Sequence, residues 1–102
     1  MKADLRPMMI ATPHGALKVV GWCYTTVGFR HTPQGWTLTH LVTGMAIRTV
    51  LTRALADSLA QRLDPVLPVE GTFGTQPAPP ALQPAQEVWR AWRDEHAASA
   101  KG

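Results

Sequence analysis

Six of the nine prolines lie between Asp64 and Gln86, at positions 65, 68, 77, 79, 80 and 84, with Gly71 and Gly74 among them. Proline fixes φ and has no N–H to offer a ladder, so such a stretch makes neither a central strand nor a helix interior. It divides the 102 residues into a part that ends near residue 63 and a part that begins near residue 84. A chain of this length builds one hydrophobic core, so the two parts must share it. The expected organisation is an N-terminal tail over 1–15, a core module over 16–63, a Pro-rich connector over 64–83 and an amphipathic helix with its tail over 84–102.

The core module reads as strands followed by one helix. Leu17, Val19, Val20, Trp22, Tyr24, Val27 and Phe29 supply β-branched and aromatic residues, broken by Gly21 and Gly28 where a bend or bulge fits. Thr32-Pro33-Gln34-Gly35 is turn chemistry and predicts a hairpin. A four-residue loop there pairs His31 with Trp36, Phe29 with Leu38 and Val27 with His40. A two-residue turn at Thr43-Gly44 would pair Val42 with Met45, His40 with Ile47 and Leu38 with Thr49. One face then carries Val27, Phe29, Trp36, Leu38, Met45 and Ile47.

That face needs a cover. Thr52 is placed to N-cap a helix over Arg53–Leu63, in which Leu55, Leu59 and Leu63 recur every four residues beside the small Ala56 and Ala60. Asp64-Pro65 ends it. The fold class is therefore α+β: a three- to four-stranded antiparallel meander packed by one helix, the fourth strand lying around Leu17–Tyr24. Connector residues Leu67 to Phe73 are expected to dock on the domain, with a looser stretch over Thr75–Pro80. Pro84 suits the first turn of the last helix, whose apolar stripe is Ala85, Val88, Trp89, Trp92 and His96.

Chemical motifs are scarce. The sequence has no Walker loop, dinucleotide glycine pattern, HExxH or CxxC. Cys23 is the single cysteine, so no disulfide closes within the chain. His31 and His40 share a face but sit about 13 Å apart along the strands, too far to share one metal ion. His40, on the central strand, fits a buried histidine bonded to backbone or to a threonine hydroxyl better than a catalytic one. No catalytic residue, metal or cofactor is assigned. Asp4 and Arg6 interrupt any apolar leader, and no run of about 18 apolar residues occurs, so a cytoplasmic protein is expected.

Two surfaces remain as candidate contacts. Trp89 and Trp92, flanked by Arg90 and Arg93, have the composition of a binding hot spot if the last helix leaves its domain. Packing of that helix on its own domain is the competing reading. The outer sheet face would carry Arg30, Thr37, Thr39, Leu41, Ala46, Arg48 and Val50, with Arg48 opposite Thr39. Two arginines among threonine hydroxyls suit phosphate contact, although a net charge of +3 neither demands nor forbids nucleic acid.

The run Trp36-Thr37-Leu38-Thr39-His40-Leu41-Val42-Thr43-Gly44, followed by the Leu55/Leu59 helix, resembles small uncharacterised proteins of phages and other mobile elements that carry a W-x-L-T-H-x-x-T-G hairpin before a helix. The resemblance spans Trp36 to Leu63 and implies a phage or plasmid context, with no activity attached. The expected function is a small non-enzymatic binding protein that occupies a macromolecular surface, with a protein partner or a second copy meeting the last helix. The alternative is a DNA- or RNA-binding module using Arg30, Arg48, Thr37 and Thr39; an enzyme using His40 comes last.

Overall fold

Four short turns and one capped helix account for most of the architecture, which a computed structural model describes over residues 2–101, with side chains for residues 2–96. The order is β1 (Asp4–Thr12), β2 (Gly15–Cys23), β3 (Val27–Thr32), β4 (Gly35–His40), β5 (Met45–Val50), α1 (Arg53–Leu63) and α2 (Pro79–Lys101). The fold is α+β: five antiparallel strands in the order β1-β2-β3-β4-β5, with two helices.

The expected tail is half of a hairpin. Leu5 to Ala11 pair residue by residue with Trp22 to Ala16 around a turn in which the Thr12 hydroxyl donates to the Gly15 carbonyl (2.7 Å). Pro7 and two charged residues disguise β1 in the sequence, yet an edge strand tolerates all three, because it needs ladder bonds on one side only. β2 joins β3 through just two register pairs, Trp22–Phe29 and Cys23–Gly28. Beyond them β1 and β2 leave the sheet as an arm.

The first predicted register is the observed one, with His31 opposite Trp36, Phe29 opposite Leu38 and Val27 opposite His40. The second is not. Residues 41–44 form a four-residue turn closed by the Gly44 N–H on the His40 carbonyl (2.7 Å), so His40 pairs with Met45. A bulge between Leu38 and Thr39 then places Arg48 opposite Leu38 and Thr49 opposite Thr37. A single unpaired residue reverses the facing of everything after it, so Arg48 and Val50 lie on the core side.

α1 matches the expected span, and the Thr52 hydroxyl accepts from the Leu55 N–H (3.2 Å). The helix ends at Asp64 even though Asp64 keeps helical dihedrals (φ −52°, ψ −46°). Here the missing N–H of Pro65, more than a conformational push on Asp64, stops the ladder. Asp64 also clips the β2–β3 turn to the helix. Its carboxylate accepts from the Thr26 N–H (2.6 Å), and its carbonyl accepts from the Thr26 hydroxyl (2.8 Å). α1 buries Ala56, Leu59, Ala60 and Leu63 against Val27, Phe29 and Leu38, with Leu67, Ala85 and Trp92 completing the core.

The connector is a strap. Leu67 is buried, the Pro68 carbonyl accepts from His40, and the Gly74 N–H donates to the Thr43 carbonyl (2.8 Å). α2 begins five residues before the expected start, at Pro79. Pro79 and Pro80 sit in the first turn, where a missing N–H costs nothing, and Pro84 deprives only the Pro80 carbonyl of its helical partner.

Tyr24 links β2 to α1 by donating its hydroxyl to the Asp57 carboxylate, which also accepts from the Gln61 amide (3.0 Å). Burial, the hydrogen bond to Asp57 and the nearby carboxylate charge push its pKa up from 10.0 to about 12. The folded chain thus holds this proton more tightly than the unfolded chain. The associated stability is present below pH 10 and is lost as pH rises from 10 through about 12. Tyr24 is the only tyrosine, so absorbance of the phenolate reads it alone. The folded protein should titrate near pH 12, the chain in denaturant near 10, and a folded midpoint at 10 would show that the Asp57 contact is absent in solution.

Candidate functional site

The terminal helix folds back on its own domain. Trp92 is 4% exposed, its indole N–H donates to the Ser58 hydroxyl (3.1 Å), and its ring stacks between those of Trp89 (5.8 Å) and His96 (4.2 Å). Trp89 is half-buried against the core, beneath the Arg48 guanidinium at 4.2 Å. Arg90 and Arg93 stay on the surface, Arg93 beside Asp94 at 3.6 Å. The expected hot spot is therefore divided, because a stripe with 3.6-residue spacing that meets an uncovered sheet face is taken up as core.

The Arg/Thr face is divided as well. Arg30 and Thr37 are cross-strand partners on the outer face, where the Thr37 hydroxyl meets those of Thr32 (3.2 Å) and Thr49 (2.9 Å). Thr39 lies on that face but is buried, and Arg48 is on the opposite face because of the β5 bulge. No common surface presents all four residues. The outer face is not fully solvated either. Met8 of the arm is buried over it, so close that a Cβ on Gly21 or Gly28 would lie 2.7 or 3.1 Å from its sulfur. Cys23 is buried there and weakly bonded to the Gly21 carbonyl (3.7 Å).

His40 is structural in its contacts. Its Nε2–H donates to the Pro68 carbonyl (2.7 Å), which leaves Nδ1 to accept from the Thr43 hydroxyl (3.1 Å). Thr43 in turn accepts from the Met45 N–H (3.3 Å). The H-x-x-T-G spacing is thereby a turn device: histidine and threonine lock the turn, and glycine takes its positive φ of 71°. Among the described residues no group of three His, Cys, Asp or Glu could hold a metal ion, and no helix is long and apolar enough to cross a membrane.

An unexpected surface appears on the arm. Leu5, Pro7 and Met9 alternate along β1 opposite Trp22, Val20 and Lys18, all on the face that Trp22 shares with Phe29. Further along the sheet that same face is covered by α1, but the cover stops at Trp22, where Arg53 lies over the indole at 4.2 Å. Past this point Leu5 is 58%, Val20 59% and Met9 42% exposed. Lys18 and Arg53 stand at the two ends of this strip. The alternation in Leu5-Arg6-Pro7-Met8-Met9 was the signal for it, concealed by Pro7 and by the reading of residues 1–15 as a tail. No family model, curated protein or solved structure matches this chain.

Proposed function

We propose that the chain is a small binding protein that occupies the surface of a protein partner, and that its contact is the uncovered face of the β1–β2 arm. The observation that carries this reading is the continuation of the sheet's core face, through Leu5, Pro7, Met9 and Val20, past the end of its helical cover. Large apolar side chains gathered on one face stabilise an association that the same residues scattered singly would not. Pro7 and the charges of Asp4 and Arg6 blunt the free edge of β1. The partner therefore lies on the face and does not extend the sheet. Lys18 and Arg53 at its ends favour an apolar partner surface ringed by carboxylates.

A benzophenone amino acid placed at Val20 or Met9 should give a discrete photo-crosslinked protein adduct in cells that make the chain, while the same probe at Gln83 should not. Leu5→Lys, at an exposed position where folding stability should change by only about 0.5 kcal/mol, should strongly reduce the Val20 adduct. Silence from both arm positions would overturn the proposal.

A further inference from the structure

A cleft of about 210 Å³ opens at the β5 edge, between that strand, the end of α1, the connector and the first turns of α2. Its apolar walls include Leu63, Leu67, Leu82 and Ala85, the amides of Gln76 and Gln86 also line it, and none of these residues belongs to the arm. Arg48 stands at the mouth. The β5 bulge turns Arg48 onto this side, and its guanidinium carbon lies over the Trp89 ring at 4.2 Å from the ring centre.

Two properties of Arg48 bear on what the cleft can take. Among the described residues it has no carboxylate partner, the ion pairs being Arg62–Glu95 and Arg93–Asp94. Its guanidinium, held over Trp89, makes no side-chain hydrogen bond among the described residues, so its N–H groups are free to receive a carboxylate through two parallel hydrogen bonds. A largely apolar pocket with one unpaired cation at its mouth selects for an apolar body with an anionic end. At about 30 Å³ for each water-sized group, the space holds roughly seven such groups, enough for a medium-length alkyl chain or a single ring.

We propose that this cleft binds a small apolar monocarboxylate, with the alkyl or aryl body against Leu63, Leu67 and Ala85 and the carboxylate on Arg48. Octanoate titrated up to about 10 mM, a range that reaches weak millimolar binding, should shift the amide resonances of Leu67, Ala85 and Trp89 and leave those of Leu5 and Val20 in place. Arg48→Met keeps the stem over Trp89 and removes the charge; it should weaken octanoate binding at least tenfold. Octanol, which has the same chain without the carboxylate, should bind the original protein and the Arg48→Met variant with equal affinity, as the control for an intact cleft. The proposal is overturned if octanoate leaves the three cleft resonances unmoved, or if Arg48→Met binds octanoate as well as the original protein does. Neither result touches the arm, so this reading and the proposed protein contact stand or fall separately.

Discussion

Trp92→Ala is expected to lower the unfolding free energy by about 3–5 kcal/mol, the range for removing a buried tryptophan from a packed core. The side chain is 4% exposed and bridges three parts of the fold: it bonds Ser58 on α1, stacks with Trp89 and His96 on its own helix, and closes the core beneath Leu59 and Leu63. A change of this size removes a large share of the roughly 5–15 kcal/mol that holds a typical domain together. At about 4–8 °C per kcal/mol for a domain near 100 residues, the melting temperature should fall by at least about 12 °C. Trp89→Ala should cost less, since Trp89 is only half-buried. Thermal melts followed by circular dichroism give both values. A Trp92→Ala protein that melts within a few degrees of the original would return α2 to the status of a detachable helix, with its tryptophans available to a partner.

Gly44→Ala is expected to be nearly as damaging through a different mechanism. Gly44 has φ +71°, and a Cβ there would lie 2.7 Å from the Phe73 ring carbon Cζ and 2.9 Å from the backbone nitrogen of Ala11. The left-handed conformation alone costs an L-residue about 1–2 kcal/mol. Overpacking adds about 1–3 kcal/mol, because the Ala11 backbone is fixed by its bond to the Gly44 carbonyl (2.8 Å) and has no room to retreat. Gly74→Ala separates the two contributions: Gly74 also has positive φ (+81°) but would meet nothing within 4 Å, so only the backbone cost applies. In denaturant melts Gly44→Ala should therefore lose clearly more stability than Gly74→Ala. Equal losses would mean that Phe73 and Ala11 do not press on the turn in solution.

Most of the meander was legible because its signals are local. Thr32-Pro33-Gln34-Gly35 fixed one register, and Thr52 with the Leu55/Leu59/Leu63 spacing fixed α1 to the residue. The second hairpin failed for a local reason that spacing alone does not display. The Thr43 hydroxyl is committed to the His40 ring, which makes the turn four residues long, and a bulge then moves Arg48 across the sheet. Two of the surfaces sought for function depended on facing or on exposure, and both were altered by tertiary contact. Arg48 changed sides, while Trp92 was enclosed by α1. The first strand of the arm was missed, although the second was expected around Leu17–Tyr24, because an edge strand escapes the rule that keeps proline out of sheets. Its uncovered face is visible only once the limit of α1 is known.

The turn at Gly44 gathers chain from both directions: Ala11, 33 residues earlier, and Gly74, 30 residues later, each donate an N–H to the carbonyl of Gly44 or of its neighbour Thr43. Every strand pairing in the sheet, by contrast, joins neighbours in sequence order. Closing a loop costs entropy that grows with its length, so two of the fold's long closures meet at a single turn. Formation of the four hairpins shortens the effective loops that remain to be closed there. Topologically the molecule is a run of local hairpins fastened at a few long-range junctions, and the H-x-x-T-G turn, with the Thr26–Asp64 clip, is one that converts a series of hairpins into a closed fold.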